Sequence, residues 1–439
     1  MNKTVSLLAV LLILLQFGTV AMAEEEKSED GSPYIEASSA ILIEANSGRV
    51  FFEQNADDKR YPASTTKVMT AVLALEALDP AAVATASQTA VDVDRDGSNM
   101  GILSGEELTV EQLLYGLLVH SANDAANVLA EQVSGSIEAF VELMNTKAAE
   151  LGMKDTHFVN THGYHDDNHY TTARDMAKLA LYAVQNETFQ KIVSTATYDI
   201  PPTNKYTKVR NLSNNNALIN PMKGQKYLYS PAKGIKTGHT SKAGHCLLSE
   251  AEKNDLHYIC VVMDAPVKQG IDYSFQDTIN LFNYGFKNFK FQTIASDSDI
   301  VSTKEVKWAA KGEQAVLYAK EPFSVILPAD YNKDLLTTSV SVPDEVKAPV
   351  AQGQAVGTIT YSYDGAELGT MELVAGKEVK KSYIRMIFGT LGKIVFSVWF
   401  MVPLGIVVVI LIILRMNDLK RKKMMRRRKK YMSRKNFYH

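Results

Sequence analysis

Two residues near the N-terminus have the types and the spacing of a nucleophile and its base. Residues 61–70 read YPASTTKVMT, and Pro62 favours a helix start because its φ is already helical and it has no N–H to leave unpaired. Ser64 and Lys67, three residues apart, would lie on one face of that helix. Ser64 would sit in the first turn, where free N–H groups and the helix dipole favour developing negative charge. This arrangement suits a serine nucleophile activated by a lysine base.

Two further motifs follow in the chain, and each lies on an element suited to a site. Residues 121–123 (SAN) interrupt a helical pattern that extends from 108 to 133, with residue types that favour caps and turns. Residues 236–238 (KTG) end a strand-like segment. The three motifs predict one site assembled from a helix start, an inter-helix loop and a strand.

Two competing matches to these short patterns exist in the same chain. Ser230 and Lys233 also have the Ser-x-x-Lys spacing, but they lead directly into Gly234 and a strand, so they offer no helix start. Ser213 and Asn215 match Ser-x-Asn in a polar loop without apolar support. We therefore assign the site to the first set of motifs.

Hydrophobic periodicity predicts an α/β (α+β) domain over residues 34–288. Residues 39–45 and 49–53 form a predicted hairpin, and helical patterns occupy the middle of the domain, where Thr172 and Asp175 resemble a capping box. Strands at both ends of the segment with helices between them indicate an antiparallel sheet flanked by helices. The other predicted helices are 137–151 and 274–286, and the other predicted strands are 234–238, 243–250 and 256–264.

Residues 289–385 predict a small, separate all-β domain. Short alternating runs with turn signals replace the helical patterns, and Asp364-Gly365 is a tight hairpin turn. No nucleophile–base pair or metal-ligand cluster occurs among these residues. We expect this domain to act as a spacer, with partner binding as the alternative. The predicted strands are 306–309, 314–319, 323–327, 358–363 and 367–373.

Two apolar segments indicate export and anchoring. Residues 1–23 have the charged start, apolar stretch and Ala-x-Ala end of a signal peptide, with an uncleaved anchor as the alternative, and 24–33 form an acidic flexible leader. Residues 394–414 are uncharged and long enough to cross a bilayer. The basic tail 415–439 then belongs in the cytoplasm by the positive-inside rule. The sequence predicts a single-pass protein of the cell membrane with residues 24–393 outside the cytoplasm.

The charge of the chain is unevenly distributed. Residues 415–439 hold twelve Lys or Arg and one Asp, whereas residues 24–414 hold 34 basic and 48 acidic residues. The basic tail is compatible with nucleic-acid binding, but its position beside the apolar segment favours membrane topology as its role, so we expect no nucleic-acid partner.

The three motifs together resemble those of class A β-lactamases and penicillin-binding proteins. Residues 97–101 (GSNMG), 118–126 (LVHSANDAA), 140–145 (FVELMN) and 234–239 (GIKTGH) are similar to the serine D-alanyl-D-alanine carboxypeptidases, the low-molecular-mass penicillin-binding proteins of the bacterial wall. The resemblance covers about residues 34–385. It implies a serine β-lactamase/transpeptidase-like catalytic domain, a β-rich second domain and a C-terminal membrane anchor.

The resemblance also implies a reaction and a role for each residue. Ser64 would attack the carbonyl between the two terminal D-alanines of a peptidoglycan stem peptide and form an acyl-enzyme that water hydrolyses, and β-lactams would acylate the same serine. No cofactor or metal would take part. The remaining implied roles are Lys67 as base, Ser121 as proton carrier to the leaving amine, Asn123 as holder of the substrate amide, Lys236 and Thr237 as binders of the carboxylate, Gly238 as space for substrate backbone, and the N–H groups of Ser64 and His239 as oxyanion hole.

One position departs from the family pattern. Family members often carry a basic residue near the start of the helix that ends in 284–286, and it is thought to bind the substrate carboxylate. Residues 271–275 read IDYSF here, without Arg or Lys. Lys236 and Thr237 then carry the expected carboxylate recognition.

Histidines and cysteines offer further readings. His157, His162, His165 and His169 lie with two aspartates in a polar loop, which permits a zinc site, but the serine mechanism needs no metal. Cys246 and Cys260 flank a predicted hairpin turn. A disulfide and two buried thiols are both compatible with their positions.

Two other functions compete with the carboxypeptidase. A β-lactamase of class A would use a glutamate for deacylation, and the Glu142 segment belongs to a helical pattern rather than a catalytic loop. A non-catalytic penicillin sensor or wall-binding protein would be acylated without turnover. Release of D-alanine from a pentapeptide distinguishes the carboxypeptidase from both.

Overall fold

A computed structural model describes residues 31–388 and 397–435. The signal peptide, most of the leader, residues 394–396 of the apolar segment and residues 436–439 of the tail lie outside the described residues. The chain forms two compact units. Among the described residues, the first comprises 31–291 with 327–330, and the second comprises 292–326 with 331–388 and 397–435.

A five-stranded antiparallel sheet is the centre of the first unit. Its strand order is β2-β1-β9-β8-β7, with β7 at one edge. The hairpin predicted at the start of the domain is confirmed, and the C-terminal strands pair beside it because β1 aligns with β9. These strands are β1 (Ser39–Glu44), β2 (Val50–Gln54), β7 (Ala232–Thr240), β8 (Gly244–Lys253) and β9 (Leu256–Ala265).

Helices cover both faces of this sheet. Alternate side chains of a strand point to opposite faces, so Ile41 and Ile43 join the large core under the helices while Leu42 approaches Gly285 on the other side. Helix α8 (Tyr273–Asn288) packs on β8 and β9, and α6 packs on β9 and β1. The remaining helices are α1 (Lys67–Ala77), α2 (Gln88–Val91), α3 (Val110–Leu118), α4 (Asn123–Ser134), α5 (Ile137–Glu150), α6 (Ala173–Ala183) and α7 (Glu187–Val193).

Each helix predicted in this unit is present, including the break at the SAN segment, whereas the short helices α2 and α7 were not predicted. The helical pattern from 108 to 133 divides into α3 and α4, with the SAN segment between them or at the start of α4. Thr172 caps α6 by accepting a hydrogen bond from the N–H of Asp175. The carboxylate of Asp175 accepts instead from the N–H of Asp155, so the reciprocal half of a capping box is not formed there.

Three short two-stranded ribbons were not predicted from the sequence. They pair β3 (Val83–Thr85) with β4 (Glu107–Thr109), β5 (Thr197–Ile200) with β6 (Arg210–Ser213), and β10 (Val267–Lys268) with β11 (Ile271–Asp272).

The second unit is built from β-strands around a core of its own. Leu317, Ile359, Tyr361 and Leu373 belong to that core. The all-β prediction for this segment holds, although the exposed strand β16 lacks the alternation that would have revealed it. Its six-stranded sheet has the order β16-β18-β19-β14-β13-β17. The strands that follow α8 along the chain are β12 (Phe289–Ala295), β13 (Ile300–Lys307), β14 (Gln314–Ala319), β15 (Phe323–Pro328), β16 (Leu336–Ser341), β17 (Val346–Lys347), β18 (Ala355–Tyr363) and β19 (Ala366–Ala375).

A long helix, α9 (Val398–Lys435), is the last described element of the chain. Within the described part of the chain it is the one helix long and apolar enough to cross a membrane. Pro403 lies inside it, and the basic tail continues the same helix. Length and composition thus agree with the predicted membrane segment.

Candidate active site

The Ser64 hydroxyl lies within hydrogen-bond distance of the Lys67 amine. Lys67 Nζ is 2.8 Å from Ser64 Oγ. The turn that carries Ser64 is 3₁₀ rather than α-helical, spanning Ala63–Thr66, and α1 begins at Lys67. The turn is tightened because both the N–H and the hydroxyl of Thr65 donate to the carbonyl of Pro62. Sequence spacing therefore predicted the contact, while the exact helix boundary is shifted by one turn.

The environment of Lys67 favours a neutral amine. Its side chain is fully buried. Burial, together with the nearby charge of Lys236, holds the pKa of Lys67 well below its usual range, and the Asp124 carboxylate offsets this only in part. A lysine with a lowered pKa can accept a proton at neutral pH.

A loop between α5 and α6 completes the surroundings of Lys67. Lys67 Nζ donates to the carbonyl oxygen of His162 at 2.8 Å. Gly163 follows at a φ of +83°, and a Cβ there would lie 1.8 Å from the carbonyl oxygen of Ala63. Asn160 fixes this turn because its side chain accepts from the N–H of Gly163 at 2.7 Å. The loop thus positions the base and packs directly against the turn of the nucleophile.

The SAN segment faces the same cleft from the junction of α3 and α4. Ser121 is buried, has a φ of +67° and lines the cleft with Ser64. Asn123 is also buried, and its N–H donates to the carbonyl of Ser98 at 2.7 Å. Asp124 accepts from the N–H groups of Met100 and Ile102. These bonds attach the GSNMG segment to the start of α4.

Edge strand β7 brings the KTG segment beside the nucleophile. A Cβ on Gly238 would lie 2.9 Å from the carbonyl oxygen of Pro62 and 3.1 Å from the nitrogen of Ser64. The glycine therefore permits close approach of the strand to the Ser64 turn. The role that the resemblance implies for Gly238, space for substrate backbone, stays a prediction. Burial lowers the pKa of Lys236 to about 7, and its amine donates to the carbonyl of Thr237 at 2.9 Å.

A cleft of about 740 Å³ joins these elements. Ser64, Ser121, Asn123, Thr237, Gly238 and His239 line it, and Lys67 and Lys236 lie buried behind its wall. Every residue singled out by the three motifs is therefore at this cleft or directly behind it. The competing Lys233 is exposed at the start of β7 and does not line the cleft.

An aspartate occupies the region where the family pattern has a basic residue. Asp272 lines the cleft and contacts His245, whose Nδ1 lies 2.8 Å from the carboxylate. The backbone N–H and the hydroxyl of Ser274 also donate to this carboxylate. Although its partial burial acts in the opposite direction, these partners hold the pKa of Asp272 below its usual value. His245 lies directly opposite His239 in the β7–β8 ladder.

The loop between α5 and α6, which holds His157, His162, His165 and His169, forms hydrogen bonds within the protein. His169 Nε2 lies 2.9 Å from the hydroxyl of Thr66, and its Nδ1 accepts from the N–H of Val159. Burial lowers its pKa to about 3, so the ring is neutral at pH 7. Among the described residues, no group of three His, Cys, Asp or Glu side chains is arranged to hold a metal ion.

The cysteine alternatives are resolved in favour of thiols. Cys246 and Cys260 are both buried and free. Cys246 lies opposite Gly238 in the ladder, whereas Cys260 lies opposite Ser249. The two positions do not face each other across the β8–β9 hairpin.

Several residues of the cleft carried no recognisable sequence signal. Asn215 was set aside as part of a competing match, yet it lines the cleft and its amide approaches the carbonyl of His120 at 3.4 Å. His245 and Asp272 come from β8 and the start of α8. The Asn160–Gly163 turn could have been found from its turn chemistry, but its contact with the nucleophile depends on tertiary packing.

Comparison with known proteins places this geometry in a family. The model of the D-alanyl-D-alanine carboxypeptidase family matches residues 24–267, and that of the C-terminal domain of penicillin-binding protein 5 matches residues 289–381. The chain belongs to the D-alanyl-D-alanine carboxypeptidase family. The predicted fold class and the prediction of a serine-type carboxypeptidase are confirmed at this level.

Individual relatives extend over most of both chains. D-alanyl-D-alanine carboxypeptidase DacF of Bacillus subtilis is 31% identical over 89% of this chain and 98% of its own length. DacA of Escherichia coli is 30% identical over 82% of this chain and 89% of its own. Penicillin-binding protein 5 from Haemophilus influenzae superposes with a TM-score of 0.60 at 29% identity, covering 80% of this chain and 99% of that structure.

Proposed function

We propose that this protein removes the terminal D-alanine from peptidoglycan stem peptides through an acyl-enzyme on Ser64. The observation that carries the proposal is the 2.8 Å separation of Ser64 Oγ from a buried lysine amine whose pKa is lowered. β-Lactams would act as covalent inhibitors because they present a strained amide to the same hydroxyl.

Proton transfer in this proposal uses the groups around Ser64. The neutral Lys67 amine keeps its N–H bond to the His162 carbonyl and accepts the Ser64 proton as Oγ bonds to the substrate carbonyl carbon. Ser121 passes that proton to the leaving amine when the amide C–N bond breaks. Water then attacks the ester carbon and gives a proton to Lys67. Lys67 passes this proton to Ser64 Oγ as the C–Oγ bond breaks and the shortened peptide leaves.

Substrate recognition is assigned to β7 and α4. Asn123 would bind the amide of the substrate, and Lys236 and Thr237 would bind its terminal carboxylate. The N–H groups of Ser64 and His239 would stabilise the oxyanion; the closeness of β7 to the Ser64 nitrogen at Gly238 supports this. No metal or cofactor is required by these steps.

The proposed location is the outer face of the cell membrane. Residues 1–23 would direct export, and α9 would anchor the chain with its basic end in the cytoplasm. This topology would place the cleft on the side of the bilayer where the peptidoglycan substrate lies.

Penicillin labelling of the full chain in detergent, followed by peptide mapping, tests the proposal. The wild type and the control Ser230→Ala should be labelled on the peptide that contains Ser64, and Ser64→Ala should not be. D-Alanine release from a pentapeptide ending in D-Ala-D-Ala should follow the same pattern. Acylation without release would support a sensor instead, and rapid hydrolysis of penicillin would support a β-lactamase.

A further inference from the structure

Three lysines converge on one tryptophan in the second unit. The amines of Lys307, Lys347 and Lys381 lie 5.7, 5.6 and 5.6 Å from the centre of the Trp308 ring. This distance is within the range of a cation–π interaction. Trp308 has a φ of +65°, which is rare for a bulky residue, and the N–H of Ser382 donates to its carbonyl at 2.6 Å.

The cluster carries an unbalanced positive charge. Lys307 and Lys347 are direct partners in the β13–β17 ladder, where like charges oppose each other. Glu345 contacts both of these lysines, so one carboxylate serves two amines. Its pKa is lowered by both neighbours. Lys381 adds a third cation, and the cluster keeps a net charge of two positive units in a chain whose main body is acidic.

Exposed apolar side chains lie next to this cluster in the sequence. Residues 383–388 form a short helical segment, in which Tyr383 and Phe388 are 68% and 71% exposed and Ile384 and Ile387 are also exposed. At 3.6 residues per turn, positions i, i+1, i+4 and i+5 fall on one broad side of a helix. Arg385 points elsewhere, since its guanidinium approaches the carbonyl of Ala309 at 3.5 Å. Lys381 also lies over the Tyr383 ring, which links this apolar face to the lysine cluster.

The chain length limits how far this surface can lie from the candidate membrane helix. Phe388 and Ser397 are separated by nine peptide units, which span at most about 32 Å when fully extended. A cationic cluster with an aromatic ring and an apolar helix face matches the chemistry of a membrane interface, where anionic headgroups attract Lys and aromatic rings sit at headgroup level.

We propose that Trp308, its three lysines and the 383–388 face form a docking surface for an anionic lipid bilayer. This inference rests on the proposed membrane anchoring by α9. It goes further because it assigns to the β-rich unit a lipid contact that orients it on the membrane, in place of a purely passive spacer.

The two tryptophans of the chain permit a direct test. Trp399→Phe removes the second tryptophan, which lies in α9, so the full chain then reports only on Trp308. It is reconstituted into vesicles of phosphatidylcholine alone or mixed with phosphatidylglycerol, each with brominated acyl chains as quencher. Trp308 emission should be quenched in the anionic vesicles, and high salt should reverse most of the quenching.

Lysine variants separate charge from folding. In the same background, Lys307→Gln/Lys347→Gln/Lys381→Gln should lose most of the quenching, and the corresponding Arg triple variant should retain it. The matched control Lys304→Gln/Lys320→Gln/Lys333→Gln changes three lysines of the same unit that make no ring contact with Trp308 and should behave like the parent. Penicillin labelling should be unchanged in all of them, which confirms folding of the catalytic unit.

Three results would overturn the proposal. One is co-flotation of the chain with vesicles without quenching of Trp308, which would leave anchoring intact. Another is equal quenching in neutral and anionic vesicles. The third is a change of Trp308 emission with soluble polyphosphate but not with vesicles, which would identify an anionic wall polymer as the partner. Failure of the chain to float with any vesicle would instead contradict the anchoring on which the inference rests.

Discussion

Lys67 Nζ and Ser64 Oγ lie 2.8 Å apart, and the amine belongs to a completely buried side chain. Burial and a second cation, Lys236, both disfavour its ammonium form. The hydroxyl therefore faces a group that can accept its proton.

Lys67→Arg should nearly abolish acylation. Guanidinium keeps its proton at every accessible pH, so it cannot accept the proton of Ser64, and general-base catalysis contributes about 10²–10⁴-fold to rate. The rate of penicillin acylation and the kcat/KM for D-alanine release should both fall by about that factor. Lys233→Arg, at the exposed lysine of the competing motif, should leave both unchanged. Near wild-type acylation by Lys67→Arg would show that another group is the base.

The pH profile of kcat/KM should be bell-shaped. Below the lowered pKa of Lys67 the amine is protonated and cannot act as base, so activity falls on the acid side. Above the pKa of about 7 of Lys236, its charge is lost and carboxylate binding weakens, so activity falls on the alkaline side. Lys236→Arg should move the alkaline limb to higher pH because guanidinium stays charged. An alkaline limb that does not move in this variant would assign it to another group.

Gly163→Ala should impair acylation far more than Gly152→Ala. Both glycines have positive φ, +83° and +68°, so both substitutions carry a similar backbone strain. Only at position 163 would the new Cβ meet the carbonyl of Ala63, at 1.8 Å, and displace the Ser64 turn. Acylation rates and thermal unfolding of the two variants would be compared. Equal acylation rates would contradict a positioning role for the 160–163 loop.

His245→Gln should raise KM and leave kcat almost unchanged. The substitution removes the imidazole that contacts Asp272, whose carboxylate then faces the cleft with Ser274 as its remaining donor and repels a carboxylate substrate more strongly. We expect a rise in KM of about fivefold, which corresponds to about 1 kcal/mol of repulsion. Adding Asp272→Asn in the same chain should restore KM, because the repelling charge is gone. If the double variant binds no better than the single one, charge is not the cause.

Much of the site could be predicted from sequence because its chemistry is local. Ser64 and Lys67 come together because their spacing matches one turn of a helix. The SAN and KTG segments can be recognised by their turn and strand patterns. Local patterns did not indicate that Gly238 packs against Pro62 and Ser64 of a distant segment. Local patterns identify a residue type well, but they do not reveal which segment will pack against it.

The amino-acid sequence by itself determined the motif residues, the alternation of helices and strands, the all-β character of the second unit and the apolar C-terminal helix, because each depends on residues near one another in the chain. Only the tertiary structure decided that the His162 carbonyl holds Lys67, that Asn215 and the His245–Asp272 pair border the cleft, and that three lysines surround Trp308. These contacts join segments distant in sequence. They form because the sheet and helices bury their apolar faces against each other. They cannot be predicted from the sequence because polar loops have no periodic pattern that would indicate their partners.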